Sequence, residues 1–273
     1  MIIEWQTNYS INTTYLRPFN DARLSGIESK RVSLIYTGNG NEPVLQVSSN
    51  MISSELWQTA TVENLIIDGQ DIAGTVGILL DNVYNSHIRN ITIKNCAVGI
   101  KLTAHGGSNF YSESNRIEHV RMINVEKGIV FDKGTGTGSF AFTTIDDVGI
   151  SLKDVGSSVG IEIGSGVLGG IGDCGCKPYS SLLRANVWMG PYNPGTGLKF
   201  TEGDLSGEFK CGLGNLSVHN SGGTTSGYGI DLSRKNKVIE KLQGKFLLAY
   251  HNVTPINNAP TPEDDNEITN FQY

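Results

Sequence analysis

"ITIKNCAVGIKL", residues 91–102, is a strand-like alternation that ends on an Asn and restarts as Gly-Ile-x-Leu. The phrase returns as "MINVEKGIVF" at residues 122–131. Aligning the chain on apolar-x-x-apolar-x-apolar followed by Gly-apolar extends the match in both directions. Val62, Leu65 and Ile67 lead to Gly77-Ile78, and Ile88, Ile91 and Ile93 lead to Gly99-Ile100. Ile117, Val120 and Met122 lead to Gly128-Ile129, and Ile145, Val148 and Ile150 lead to Gly160-Ile161. Leu182, Ala185 and Val187 lead to Gly197-Leu198, and Leu213, Leu216 and Val218 lead to Gly229-Ile230. From first anchor to glycine the offset is 11, 15 or 16 residues, as if one turn were either closed or opened by an insertion.

First anchors recur every 26 to 37 residues, the period of one solenoid coil with loops of variable length. Each coil has a short apolar row that only the coils above and below can cover. Stacking supplies both the core and the backbone hydrogen bonds, with rungs about 4.8 Å apart. The expected fold is all-β: a single-stranded right-handed parallel β-helix, with residues 1–60 as N-terminal cap and first strands and residues 61–273 as coils. The poor fit of residues 1–60 to the repeat motivates the cap, because an open solenoid end exposes a sheet edge. "NEITNFQY" at 266–273 fits the opening of a further coil through Ile268, Phe271 and Tyr273. Asn95, Asn124 and Asn220 follow the same strand in three coils. Asn tolerates the left-handed turn conformation and can bond to the equivalent Asn one coil away.

Composition agrees with a turn-rich β chain: 34 of the 273 residues are Gly, and only 18% are charged. A net charge of −6 disfavours a phosphate-binding surface, so nucleic acid is not an expected partner. No apolar run reaches the roughly 20 residues of a membrane span. The N-terminus has neither a basic n-region nor an apolar h-region, so the expected setting is a virion part, an excised extracellular domain or a cytosolic protein. Cys174 and Cys176 in "GDCGC" stand too close in sequence to bridge without strain. Either could pair with Cys211, the three could hold a metal, or all could be free thiols, the reading the missing pattern favours. No zinc pattern is completed, so no metal or other cofactor is expected.

"VENLIIDG" at 62–69, the Asn-turn phrases and the repeated G-I-x-L resemble the right-handed parallel β-helix of the pectate-lyase-like superfamily. The style is closer to viral and phage tail-spike or appendage β-helices than to plant-cell-wall enzymes. That resemblance implies a trimeric virion or extracellular domain that presents loops to a polysaccharide or cell-surface glycan. The catalytic motifs of polygalacturonases do not carry over. The residue before each repeat glycine is Val76, Val98, Lys127, Val159, Thr196 or Tyr228, never Asp, and "AHGGS" at 104–108 inverts their Gly-His-Gly. The Arg-x-Pro-x-x-Arg signature of pectate lyases is also missing.

The alignment predicts one outward column through Glu63, Arg89, Glu118, Asp146, Leu183 and Gly214. Its neighbour runs through Asn64, Asn90, His119, Asp147, Arg184 and Asn215. Glu118 and Asp146 therefore fall on successive rungs beside His119 and Asp147. Retaining glycosidases hold two carboxyls about 5 to 5.5 Å apart, close to one rung, so these four are the candidate catalytic set for a lyase or glycoside hydrolase. Equally, Glu63, Arg89 and Glu118 alternate in sign, as do Glu162, Lys199 and Asp231, which is what plain cross-rung pairing produces. The segment 164–194 contains the largest insertion, and Tyr179, Trp188 and Tyr192 lie in or beside it. Such aromatics either stack on sugar rings or pack as a lid over the core or between protomers. With Arg89 and Arg121 they form the candidate glycan-binding set. A rigid solenoid spacer is the third functional class. "DKGTGTGS" at 132–139 lacks the ending of a phosphate loop and reads as a connection.

Overall fold

The structure, a computed structural model, describes residues 32–40, 42–48, 60–107, 110–167 and 183–201. Strand segments on either side are described at 2–5, 9–11, 14–16, 22–26, 209–220, 227–232, 239–250, 253–257 and 268–269. Every described strand pairs in parallel with its counterpart one coil away, giving a β-solenoid of about five turns with no helix among the described residues. Three walls make up a coil. Wall A stacks Ala22–Gly26, Ala60–Glu63, 87–89, 116–118 and 144–146. Wall B stacks Val32–Tyr36, Leu65–Asp68, 91–94, 120–123, 148–151 and 185–188. Wall C stacks Pro43–Ser48, Val76–Asp81, 98–103, 127–132, Val159–Ile163, Thr196–Phe200 and Gly227–Leu232.

The apolar anchors form unbroken inward columns. Ile67, Ile93, Met122, Ile150, Val187 and Val218 lie in one register on wall B. Ile78, Ile100, Ile129, Ile161, Leu198 and Ile230 do the same on wall C, and all are buried. Each buried Ile or Leu contributes about 1.5–3 kcal/mol, so the columns hold the stack together. Phe140, fully buried, meets Phe131 edge-on at 5.4 Å and closes the core where wall C turns back to wall A.

The repeated glycine answers to a close approach between coils. A Cβ on Gly77, Gly99, Gly128, Gly160 or Gly197 would fall within 2.7 Å of the carbonyl oxygen of the glycine one coil on. The same Cβ would strike Ile93, Met122, Ile150, Val187 or Val218 of the core. Any side chain there forces two coils apart.

Two corners are built from left-handed residues. Asn95 and Asn124 turn wall B toward wall C at φ of 55° and 58°. The Asn124 amide donates to Asn95 Oδ1 at 2.9 Å, and the Asn95 amide to Asp68 Oδ1 at 3.0 Å, so the anticipated cross-coil ladder is present at these positions. Asn220, the third member of the expected set, is buried at the end of strand Phe209–Asn220. The corner between walls A and B falls where the alignment places a second outward column: Asn64, Asn90, His119 and Asp147 stand there at φ of 58°, 54°, 53° and 48°. The supposed second outward column is therefore a corner column, angled away from wall A. At the next coil the structure pairs Leu183 with Leu213 rather than Gly214, the register shifting before Arg184–Asn215.

Candidate functional site

Arg89, Glu118 and Asp146 sit side by side on successive rungs of wall A, as the alignment requires. Their side chains are already engaged. Glu63, buried, accepts from Arg89 Nε at 2.6 Å, and His87 Nε2 lies 2.8 Å from Glu118 Oε2. Arg184 grips Asp146 with both its Nε and a terminal nitrogen, the latter at 2.7 Å. At the corner, Asp147 is held by His119 Nδ1 at 2.8 Å and by Arg121, which also donates to the Asp147 carbonyl at 2.7 Å.

These contacts decide what the carboxylates can do. Arg184 holds the Asp146 carboxyl below its ordinary range, and His119, then Arg121, do the same for Asp147. Both are ionised at neutral pH, whereas a general acid must keep its proton there. Asp146 and Asp147 are thus placed as charge partners rather than proton donors. Among the described residues the carboxyl that is pushed up is Glu113, raised by burial despite a hydrogen bond from the Ser139 hydroxyl. It stands beside Tyr84 across a parallel bridge, and Tyr84 meets Tyr111 edge-on at 6.3 Å. No periodicity points to this cluster, because it comes from loops that carry no repeat.

Wall B presents a different surface. Ser151, Trp188 and His219 follow one another on its outer face. Trp188 remains 42% exposed and stacks on His219 at 5.7 Å between ring centres and 14° between planes. The ring leans over Gly149 of the preceding coil. A Cβ there would meet Trp188 Cζ3 at 3.3 Å and Arg121 Cδ at 3.0 Å. Gly149 is therefore the notch where the indole and the Arg121 stem converge. Ile123, 49% exposed, stands one rung before Ser151 in the Trp188 column.

Tyr192 is 77% exposed on the corner loop that follows Trp188. Its loop is pinned by Asp154, whose Oδ1 accepts from the Tyr192 and Asn193 amides at 3.2 and 2.6 Å. Thus Trp188, Tyr192 and Arg121 belong to one side of the solenoid, while Arg89 lies on wall A in its pair with Glu63. Tyr179, Cys174, Cys176 and the side chain of Cys211 lie outside the described residues. Cys96 is buried and free, its thiol pushed up to about 12 by burial, which leaves it inert. No group of His, Cys, Asp and Glu among the described residues has the geometry of a metal site.

A solved structure entitled Geobacillus virus E2 ORF18 aligns with 99% of this chain and 53% of its own, at 14% identity and a TM-score of 0.34. The chain thus spans about half the length of that viral protein. No family model and no curated protein matches. Among the described residues no helix is long and apolar enough to cross a membrane.

Proposed function

We propose that the chain is a viral or phage appendage domain that binds surface glycans through the outer face of wall B, with Trp188 as the stacking platform. The observation that carries this reading is Trp188 itself. A large ring is kept half out in solvent, backed by His219, on a wall whose backbone is hydrogen-bonded on both sides. A flat aromatic so fixed loses little freedom when a sugar's C–H face settles on it. Arg121 beside it and Tyr192 on the adjoining corner supply polar contacts at the edge of the platform. In this reading residues 1–60 close the N-terminal end, and the domain works on a virion or outside the cell as a homotrimer, the assembly implied by the tail-spike-like sequence style.

Binding is favoured over cleavage because both carboxylates are already engaged, Asp146 by two nitrogens of Arg184 and Asp147 by His119 and Arg121. A glycan array probed with the full chain tests the proposal. Hits that Trp188→Ala weakens at least tenfold, with unchanged thermal unfolding, support it. An array without hits, or hits indifferent to Trp188→Ala, overturns it in favour of a spacer. Solution mass should correspond to three copies of the 29.5 kDa chain, and a strict monomer would remove the trimeric form. Depolymerisation of a polysaccharide panel, lost in Glu118→Gln or Asp146→Asn, would install the enzymatic reading instead.

A further inference from the structure

We infer that wall C carries a second, separate site: a groove for a neutral oligosaccharide of about two sugar units. The groove encloses about 510 Å³ on the outer face of the coils that run through 98–103, 127–132 and Val159–Ile163. That volume lies within the roughly 300–1,000 Å³ usual for small-molecule sites. Val98 and Val130 contribute apolar surface to its lining, Val130 only 8% exposed. Two ion pairs also line it, each reaching from one coil to the next. Lys101 Nζ lies 2.7 Å from Asp132 Oδ2, and Lys127 Nζ lies 2.7 Å from Glu162 Oε2.

The pairing selects the ligand. Burial works to raise the Asp132 carboxyl, but hydrogen bonds from Lys101 and the Gly134 amide outweigh it, so it stays ionised beside its lysine. Each lysine is thus matched by a carboxylate in contact with it, and the third carboxylate of the lining, Glu126, is met by Lys153 Nζ at 3.4 Å, so no charge in the groove stands without a counter-charge to attract an acidic or a basic ligand. An ammonium has three donors and a carboxylate two acceptor oxygens, so each pair keeps capacity beyond its mutual bond. Vicinal hydroxyls, which donate and accept at neighbouring atoms, use both members of such a pair at once. The apolar C–H face of a pyranose suits the valine surface. Acidic sugars would set their carboxylate against Asp132 or Glu162, and free amines would set theirs against a lysine.

Wall C is a different wall from the one bearing Trp188, so the two sites fail independently. Calorimetric titration of the full chain with cellobiose, maltose and lactose, and with digalacturonate as the acidic control, tests the groove. At least one neutral disaccharide should bind at millimolar concentration, and digalacturonate should bind at least tenfold more weakly. Val130→Trp, which fills the groove from its apolar side, should weaken the neutral sugar at least tenfold, and Trp188→Ala should leave it unchanged. Lys127→Met, on a half-buried pair, provides the same readout if Val130→Trp unfolds. The groove is overturned if no neutral disaccharide binds, if digalacturonate binds better, or if a folded Val130→Trp or Lys127→Met variant binds as well as the native chain.

Discussion

The coils at 87–103 and 116–132 turn from wall B to wall C with a single left-handed Asn, while those at 144–163 and 183–200 make the same turn through longer loops. In the first pair the corner is sealed by the Asn124–Asn95 bond and by Asp71, which accepts from Asn124 at 3.0 Å. In the second pair Asp154 stitches its own loop to the next, and Gly190 gives it room, since a Cβ on Gly190 would run into the Asp154 side chain. The inward columns pass through both kinds of coil without a break. Register therefore resides in the walls, and the corner is free to grow. Growth is where Tyr192 is displayed, just beyond the strand that carries Trp188.

The largest effects should be blind to the corner type. Ile93→Ala in a closed coil and Ile150→Ala in an open one should each cost about 2–5 kcal/mol in urea unfolding, since both leave a cavity in the same column. A difference beyond that spread would show that open coils pack less well. Gly128→Ala should cost about 1–3 kcal/mol by overpacking against the Gly160 carbonyl and Ile150. Gly156→Ala, in an open corner with nothing within 4 Å of the added Cβ, should move the thermal midpoint little if at all.

Asn124→Ala should cost about 1–2 kcal/mol, the strain of a side chain without a local hydrogen bond in the left-handed region. Asn124→Gly should recover part of that loss. If the two variants unfold alike, the side-chain ladder rather than the backbone turn is what seals the corner.

The smallest effect concerns acid. Burial works to raise the Asp68 carboxyl, but hydrogen bonds from Lys94, Asn95 and the Gln70 amide outweigh it and leave it lowered. A lowered folded value means that its contribution is fully present above the unfolded value of about 3.9. The contribution is lost as pH falls through the folded one. Asp68→Asn should therefore lower the urea midpoint near neutrality and flatten its fall between the unfolded value and the lower folded one. An unchanged acid limb would assign that fall to other carboxylates.

Much of this architecture was legible because the repeat is written in residues with one job. An inward Ile column and a glycine that admits the next coil's carbonyl leave the same mark in every coil. The A–B corner left a weaker mark: Asn64 and Asn90 announce a left-handed turn, but His119 and Asp147 adopt it with side chains less specific to it. Reading them as an outward strand column brought His119 and Asp147 to Glu118 and Asp146 correctly in sequence order, yet not onto the same wall. Trp188 was legible as an aromatic in or beside the insertion, but its exposure was not. Its partner His219 and its notch Gly149 come from the coils on either side and became evident only once the register had been set. Glu113 and its tyrosines lie in loops, where no periodicity can point.

The glycine contacts between coils have a metric consequence. With no side chain to act as a spacer, the rise from one coil to the next is fixed by backbone alone at about 4.8 Å. Positions in the same column of a wall are then graduations on a ruler, and their axial separation changes only by whole steps. A polymer whose own repeat approaches a multiple of that step can touch one outward column again and again, while a polymer with any other repeat drifts out of phase within a few units.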